Sequence, residues 1–281
     1  MKLWLVVLAF FVVTGAWADP QGQPGDVKAH LDRGTALLEK GDLDGAIAEY
    51  RAAIRLKPDC AEAHNNLGSM LGLKGDLDSA ITEFRLAIRL KPDYANAHYG
   101  LGNALYRKGD LDIATAEYRE AIRLKPDYAN AHYGLGLALA DKGDLDGAIT
   151  EYRGVIRLKP DYAEAHAALG FTLGRDKGDL DGAIAELREA IRLKPDYAGG
   201  HHNLGNALYA KGDLDGAIPA YRAAIRLKPD DAAAHYGLGL AFEAKGERQA
   251  ALEEYRKAVE LDPKNDVARG NYERLAKELK K

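Results

Sequence analysis

The segment KGDLDGAI, intact or slightly varied, recurs every 34 residues from Lys40 to a degenerate copy at Lys245, with one interval, Lys142 to Lys177, of 35. A fixed period of this length constrains the fold more than any single motif. A unit so small cannot bury its own apolar face, so neighbouring units must stack to make a core. Function is then expected on a repeated surface, not in one enclosed site.

Aligned copies give seven units, 27–60, 61–94, 95–128, 129–162, 163–197, 198–231 and 232–265, followed by a tail from Asp266. Each unit reads as two helices. The first carries apolar and small residues at helical spacing, such as Leu101, Gly102 and Leu105, the glycine allowing close approach of a partner helix. Lys108-Gly109 ends it, because glycine suits the left-handed position past a helix C-terminus and lysine favours the negative end of the dipole. Asp110 and Asp112 open the second helix, and either can be its N-cap. Ile122 and Leu124 lie near its end among Arg119, Arg123 and Lys125, and Pro126 stops it. Asp127 stands where it can cap the next unit, so the array is expected to be continuous, without linkers.

The second unit places His64, Leu67, Gly68, Leu71, Ala80, Phe84 and Pro92 at the spacings of the signature W-x2-L-G-x2-Y, A-x3-F, P. On these residues the chain resembles the tetratricopeptide repeat (TPR) family, and the resemblance extends over all seven units. It implies an all-α fold: a right-handed α-α superhelical solenoid of seven helix-turn-helix units. Residues 266–281 read as a further capping helix with Tyr272, Leu275 and Leu279 on one face.

The first 18 residues differ in kind. One lysine, an apolar run from Leu3 to Val13 and the small-residue stretch Thr14-Gly15-Ala16-Trp17-Ala18 read as a secretory signal peptide cleaved after Ala18. The run is shorter than the roughly 20 apolar residues of a membrane anchor, so no membrane insertion is expected after cleavage. Residues 19–26, DPQGQPGD, read as a short disordered leader. The protein is thus expected to be exported, periplasmic or secreted. No Asn-x-Ser/Thr sequon occurs, which is compatible with a bacterial source.

Charged residues make up 29% of the chain with a net charge of -4, and both signs are interleaved in every unit. No basic stripe results, so nucleic acid is not an expected partner. The single cysteine, Cys60, allows no intrachain disulfide. Seven of the eight histidines, His30, His64, His98, His132, His166, His201 and His235, hold the fourth place of successive units. Equivalent places in stacked helices lie roughly 10 Å apart, too far for two imidazoles to share a zinc at about 2 Å each. These histidines read as packing residues in place of the signature tryptophan, with no metal or other cofactor. H-E-x-x-H, G-x-S-x-G, a phosphate-binding glycine loop and paired C-x-x-C motifs are all missing, so a non-enzymatic role is expected.

In the TPR family the second, fifth, sixth, ninth, twelfth and thirteenth residues of a unit line the concave groove. The resemblance assigns these places to Asn65, Asn66 and Ser69; to Asn96, Tyr99, Asn103, Tyr106 and Arg107; to Asn130, Tyr133 and Asp141; and to His202, Asn203, Asn206, Tyr209 and Tyr236, with Phe171, Arg175 and Glu243 at further equivalents. Asparagine amides donate to and accept from a peptide backbone, and tyrosine adds contact area at little entropic cost. The lining suits an extended peptide or helix of another protein, which the sequence does not name. The alternative is a structural or self-associating array without a dedicated groove ligand. The clamp with which some TPR domains grip a C-terminal carboxylate is absent, since Leu31, Asn96 and Gly100 stand where its charged members belong.

The fifth unit holds an extra residue within Gly174–Gly178 and has Leu187 where most copies have tyrosine, and the sixth opens Ala198-Gly199-Gly200. Helix-interior glycines cost up to about 1 kcal/mol each, so residues 174–203 are expected to hold the weakest junction.

Overall fold

The computed structural model describes residues 24–176 and 178–280. The expected signal peptide, most of the expected leader and Lys177 lie outside the described residues. Within them are fifteen α-helices and no strand: α1 (Pro24–Glu39), α2 (Leu43–Leu56), α3 (Ala61–Lys74), α4 (Leu77–Leu90), α5 (Ala95–Lys108), α6 (Leu111–Leu124), α7 (Ala129–Asp141), α8 (Leu145–Leu158), α9 (Ala163–Asp176), α10 (Leu180–Leu193), α11 (Ala198–Lys211), α12 (Leu214–Leu227), α13 (Ala232–Ala244), α14 (Arg248–Leu261) and α15 (Asp266–Glu278). Consecutive helices pair as helix-turn-helix units, and α15 packs on α14. α1 takes in Pro24–Asp26, the last residues of the segment expected as a leader. The helices form two compact units, one with α1–α4 and ending at Pro92, the other with α5–α15 from Asp93.

The turn chemistry follows the sequence closely. Gly75, Gly109 and Gly212 each adopt a left-handed φ of 84° to 89° just past a first helix, which a side chain would strain. Between the two aspartates, the first is the N-cap: Asp42, Asp144, Asp179 and Asp213 each accept the backbone N–H three residues on. Asp110 makes no such bond. The third residue after those four caps is glycine, and a Cβ there would stand 2.4 Å from the Asp42 or Asp179 carboxylate; after Asp110 it is the β-branched Ile113. The second aspartate instead reaches the lysine that ends the next unit's first helix, as in Lys142–Asp112 (2.5 Å), Lys211–Asp181 (2.5 Å) and Lys245–Asp215 (2.8 Å). These pairs are exposed and stabilise only weakly.

Asp127 does not cap α7. The N-cap is Tyr128, one residue later, and it makes no side-chain cap bond. Its ring packs 5.0 Å from that of Tyr99, so this position serves aromatic packing at the expense of capping.

The core is built on one joint. Tyr50, Phe84, Tyr118, Tyr152, Tyr221 and Tyr255, all from second helices, are at most 3% exposed. Tyr118 lies between Gly102 of its own unit and Gly134 of the next, and a Cβ on either glycine would come within 2.8 Å of the ring. Tyr221 lies likewise between Gly205 and Gly237. The glycines are there because the ring leaves no room for a methyl group.

The fourth-position histidines are packing residues, and they also bind. His132 Nδ1 is 2.6 Å from Glu151 Oε2 and its Nε2 is 3.0 Å from the carbonyl oxygen of Pro126 in the preceding turn. His64, His166 and His235 repeat both contacts, with Glu83, Glu186 and Glu254 and with Pro58, Pro160 and Pro229. His201 keeps the carbonyl of Pro195, but Ala220 stands where the glutamate would be. One residue earlier, Pro219 sits six residues into α12, deeper than the first turn, so its missing N–H removes a bond to the Asp215 carbonyl. Leu204 is only half-buried, whereas its equivalents Leu67, Leu101, Leu135, Leu169 and Leu238 are at most 3% exposed. Departures from the pattern thus gather in the sixth unit as well as at 174–178.

In α15 the buried face is narrower than expected. Leu275 is fully buried and Tyr272 partly, but Leu279 is 40% exposed because the helix ends at Glu278 and leaves it no neighbour to cover it. Charge anchors the helix instead, through Arg274 to Glu243 at 2.7 Å and Arg248 to Glu278 at 3.3 Å.

Candidate protein-binding cleft

First helices of successive units lie side by side in the larger compact unit, and their open faces carry the candidate residues. Tyr133 (α7) packs 6.0 Å from the buried Tyr152 and 5.2 Å from Tyr162, which precedes α9. Around it is a cleft of about 260 Å³ lined by side chains of α7, α9 and α11, among them Tyr133, Asp141, Glu164, Phe171, Arg175 and Asn203, with Tyr152 and Tyr197 contributing from beside them. A second cleft of about 220 Å³, between α9 and α11, shares Phe171, Arg175 and Asn203 and adds Leu187 and Asn206. Phe171 is 36% exposed and carries the Arg175 guanidinium 4.6 Å above its ring.

The electrostatics are mixed in sign. Lys194 binds Glu164 at 2.9 Å and holds that carboxyl below its usual range. The Tyr106 hydroxyl donates to Asp141 at 2.6 Å, and burial together with that carboxylate pushes the phenol up to about 12. Burial raises Tyr133, Tyr152 and Tyr197 as well, so these phenols remain neutral donors at ordinary pH.

The remaining candidates differ in what holds them. Asn103 and Asn206 are held in place, because their Oδ1 atoms accept the Tyr118 and Tyr221 hydroxyls at 2.8 Å and their amide nitrogens remain to donate. Tyr99 and Tyr236 lie with their rings 6.1 Å from Tyr118 and 5.7 Å from Tyr255, and the Tyr236 hydroxyl accepts from Asn271 at 3.0 Å. Asn96 and Arg107 are exposed, while Asn130 and Tyr209 are half-buried. Glu243 accepts the Tyr255 hydroxyl at 2.7 Å and the Arg274 pair, so it is a structural link. His202 lies edge-on to Tyr221 at 6.0 Å, and burial lowers its pKa and leaves Nδ1 without a partner.

Three candidates belong to the smaller unit. Asn65 is buried, donates to Asn66 at 3.1 Å and has an unpartnered buried Oδ1, and the Ser69 hydroxyl bonds back to the Asn65 carbonyl at 3.0 Å. Both residues turn inward to their own helix, because a short polar side chain on a tightly packed face finds the backbone or a sequence neighbour first.

Two contributors were missed by sequence reasoning. Tyr128, Tyr162 and Tyr197 close successive units, and that recurrence was visible, but their reach toward the neighbouring first helix was not. The glutamates that bind the histidines recur 19 or 20 residues downstream and could have been found by that spacing. Among the described residues no group of three or more His, Cys, Asp or Glu side chains could hold a metal, and no helix is long and apolar enough to cross a membrane.

Paired helices in register, glycine-seated rings and an aromatic cleft across first helices define a helical-repeat protein. Family models described as tetratricopeptide repeat match residues 31–95, 99–163 and 232–265, and one described as TPR repeat matches 173–212 and 205–246. The chain belongs to the tetratricopeptide repeat family.

No curated protein sequence matches the chain. Solved structures do. A chain from the crystal structure of the APC/C hetero-tetramer Cut9-Hcn1 is 21% identical with a TM-score of 0.73, over 86% of this chain and 48% of that one. This chain therefore spans about half of that neighbour's length. YrrB, described as a TPR protein with an unusual peptide-binding site, is 26% identical with a TM-score of 0.55, over 66% of this chain and 95% of its own. A tetratricopeptide repeat protein from Parabacteroides merdae is 16% identical with a TM-score of 0.64, over 90% and 99%. The first and third likenesses concern the fold alone.

Proposed function

We propose that this chain is an exported, non-enzymatic scaffold that binds an extended segment of another protein along the open faces of its first helices. The observation that carries this reading is the cleft at α7, α9 and α11, where Tyr133, Phe171, Tyr197 and Asn203 offer aromatic surface and amide groups beside paired charges. Rigid aromatic rings lose little entropy on contact, and amides match a peptide backbone that carries both donors and acceptors. The peptide-binding site named for YrrB supports the same reading by likeness of fold. The apolar N-terminus ending in Ala16-Trp17-Ala18 supports export, to periplasm or medium.

A crosslinking capture from the secretory compartment tests it, with Tyr133→Ala plus Asp141→Ala as the comparison and circular dichroism to verify folding. A protein captured by the wild type and lost by the folded double variant is the expected result. Equal capture by both, or none by either, would favour an array without a groove ligand.

A further inference from the structure

One place in the repeated joint is unfilled. In six units the second helix supplies an aromatic ring: Tyr50, Phe84, Tyr118, Tyr152, Tyr221 and Tyr255. Where that ring meets the next unit, its outer edge is what touches. Gly134 faces Cε1, Cζ and the hydroxyl of Tyr118, and Gly237 faces the same three atoms of Tyr221. In the fifth unit the residue is Leu187, which still packs on its own-unit glycine, Gly170, its Cγ lying 2.8 Å from where a Cβ would stand. A leucine stops short of the outer half of a phenol ring, and the opposing position holds Asn203 where Tyr118 and Tyr221 meet Gly134 and Gly237.

The space left over is the cleft of about 220 Å³ between α9 and α11, lined by Gly170, Phe171, Leu180, Leu187, Asn203 and Asn206 among others. Its floor is apolar and its polar lining is largely amide. An apolar cavity of about 150 Å³ is enough to take up benzene in a well-packed protein. This one is larger and opens to the surface beside the Tyr133 cleft, with which it shares Phe171, Arg175 and Asn203.

We infer that the opening at Leu187 is a pocket for one aromatic side chain, phenylalanine or tyrosine, of the bound polypeptide, which takes the place that this chain's own ring fills in the other units. The inference rests on the groove reading for the polypeptide, but the pocket itself is tested without it. Ring burial supplies the affinity, and the Asn203 and Asn206 amides are placed to meet a phenol hydroxyl.

The probe is p-cresol, the side chain of tyrosine, titrated into the full chain while the methyl resonances of Leu187 and Leu180 are followed. Saturable shifts of both are expected. The variant Leu187→Tyr with Asn203→Gly rebuilds the ring and its glycine seat as at Tyr118, and should weaken p-cresol binding by about tenfold or more while the protein stays folded. Conversely, Tyr118→Leu should open a second pocket between Gly102 and Gly134 and add a second binding event. Absence of saturable shifts in the wild type, or undiminished binding in the folded filled variant, overturns the pocket. The two readings separate cleanly: partner capture without p-cresol binding retires the pocket alone, whereas p-cresol binding without capture retains the pocket and retires the groove.

Discussion

His132 donates from Nδ1 to Glu151 across 2.6 Å, tying α7 to α8, and its other ring nitrogen meets the Pro126 carbonyl of the preceding turn. Both partners are acceptors only, so the doubly protonated ring satisfies both. The hydrogen bond to Glu151 is the main cause that raises the His132 pKa, against a smaller opposing effect of burial.

A group whose pKa is raised on folding contributes stability that is fully present below the unfolded value, near 6.5 for histidine, and is lost as pH rises through the folded value. His132 should therefore titrate above its ordinary value in an NMR pH series, and its contribution to stability should fade on the alkaline side of neutrality. Glu151→Gln should bring that titration back toward the ordinary value. An unchanged midpoint in the variant would refute the assignment of cause.

The sixth unit lacks this link, because Ala220 replaces the glutamate opposite His201. Ala220→Glu should add about 1 kcal/mol, the worth of one intramolecular hydrogen bond. Hydrogen exchange should show residues 174–203 as the least protected stretch of the wild type, with protection of α11 rising in the variant. Uniform protection across the units would contradict this.

Two glycines of the fourth unit should respond oppositely to alanine. At Gly136 a Cβ would come 2.6 Å from the Tyr152 ring, so Gly136→Ala should lower stability by about 1–3 kcal/mol through overpacking. At Gly154 its nearest neighbour is His132 Nδ1 at 3.9 Å, so Gly154→Ala should raise stability by up to about 1 kcal/mol, the usual helix-interior difference. Denaturant midpoints compare them directly.

The caps allow a similar contrast. Asp179→Ala removes a bond to the Gly182 N–H and should cost about 1 kcal/mol, whereas Asp110→Ala removes no side-chain cap bond and should cost measurably less. Equal losses at both sites would mean that the helix dipole and not the hydrogen bond sets the effect.

The period made the paired helices legible, and Lys-Gly made their ends legible, because a left-handed residue and a dipole leave their mark on local sequence. What depended on other helices was harder to read. Both aspartates of the turn suit a helix start, and only the N–H three residues on selects the first. Asp127 was placed one residue too early as a cap because Tyr128 looks unfit for the task until Tyr99 is seen against it. The groove positions came from the family pattern, which does not tell a free amide from one that orients a buried hydroxyl, as Asn103 does for Tyr118. It also does not distinguish Asn65, which folds back on Asn66.

Two rings of the joint are shared across units: Tyr118 belongs to one unit and half of its seat, Gly134, to the next, and Tyr221 and Gly237 are divided in the same way. Because the place for the ring and the place for its seat both travel within one segment, duplicating or deleting a whole segment brings the two places together again at the new boundary. The length of such a protein can therefore change by whole units in one genetic step, while a change of any other size breaks the period, as the 35-residue interval from Lys142 to Lys177 does.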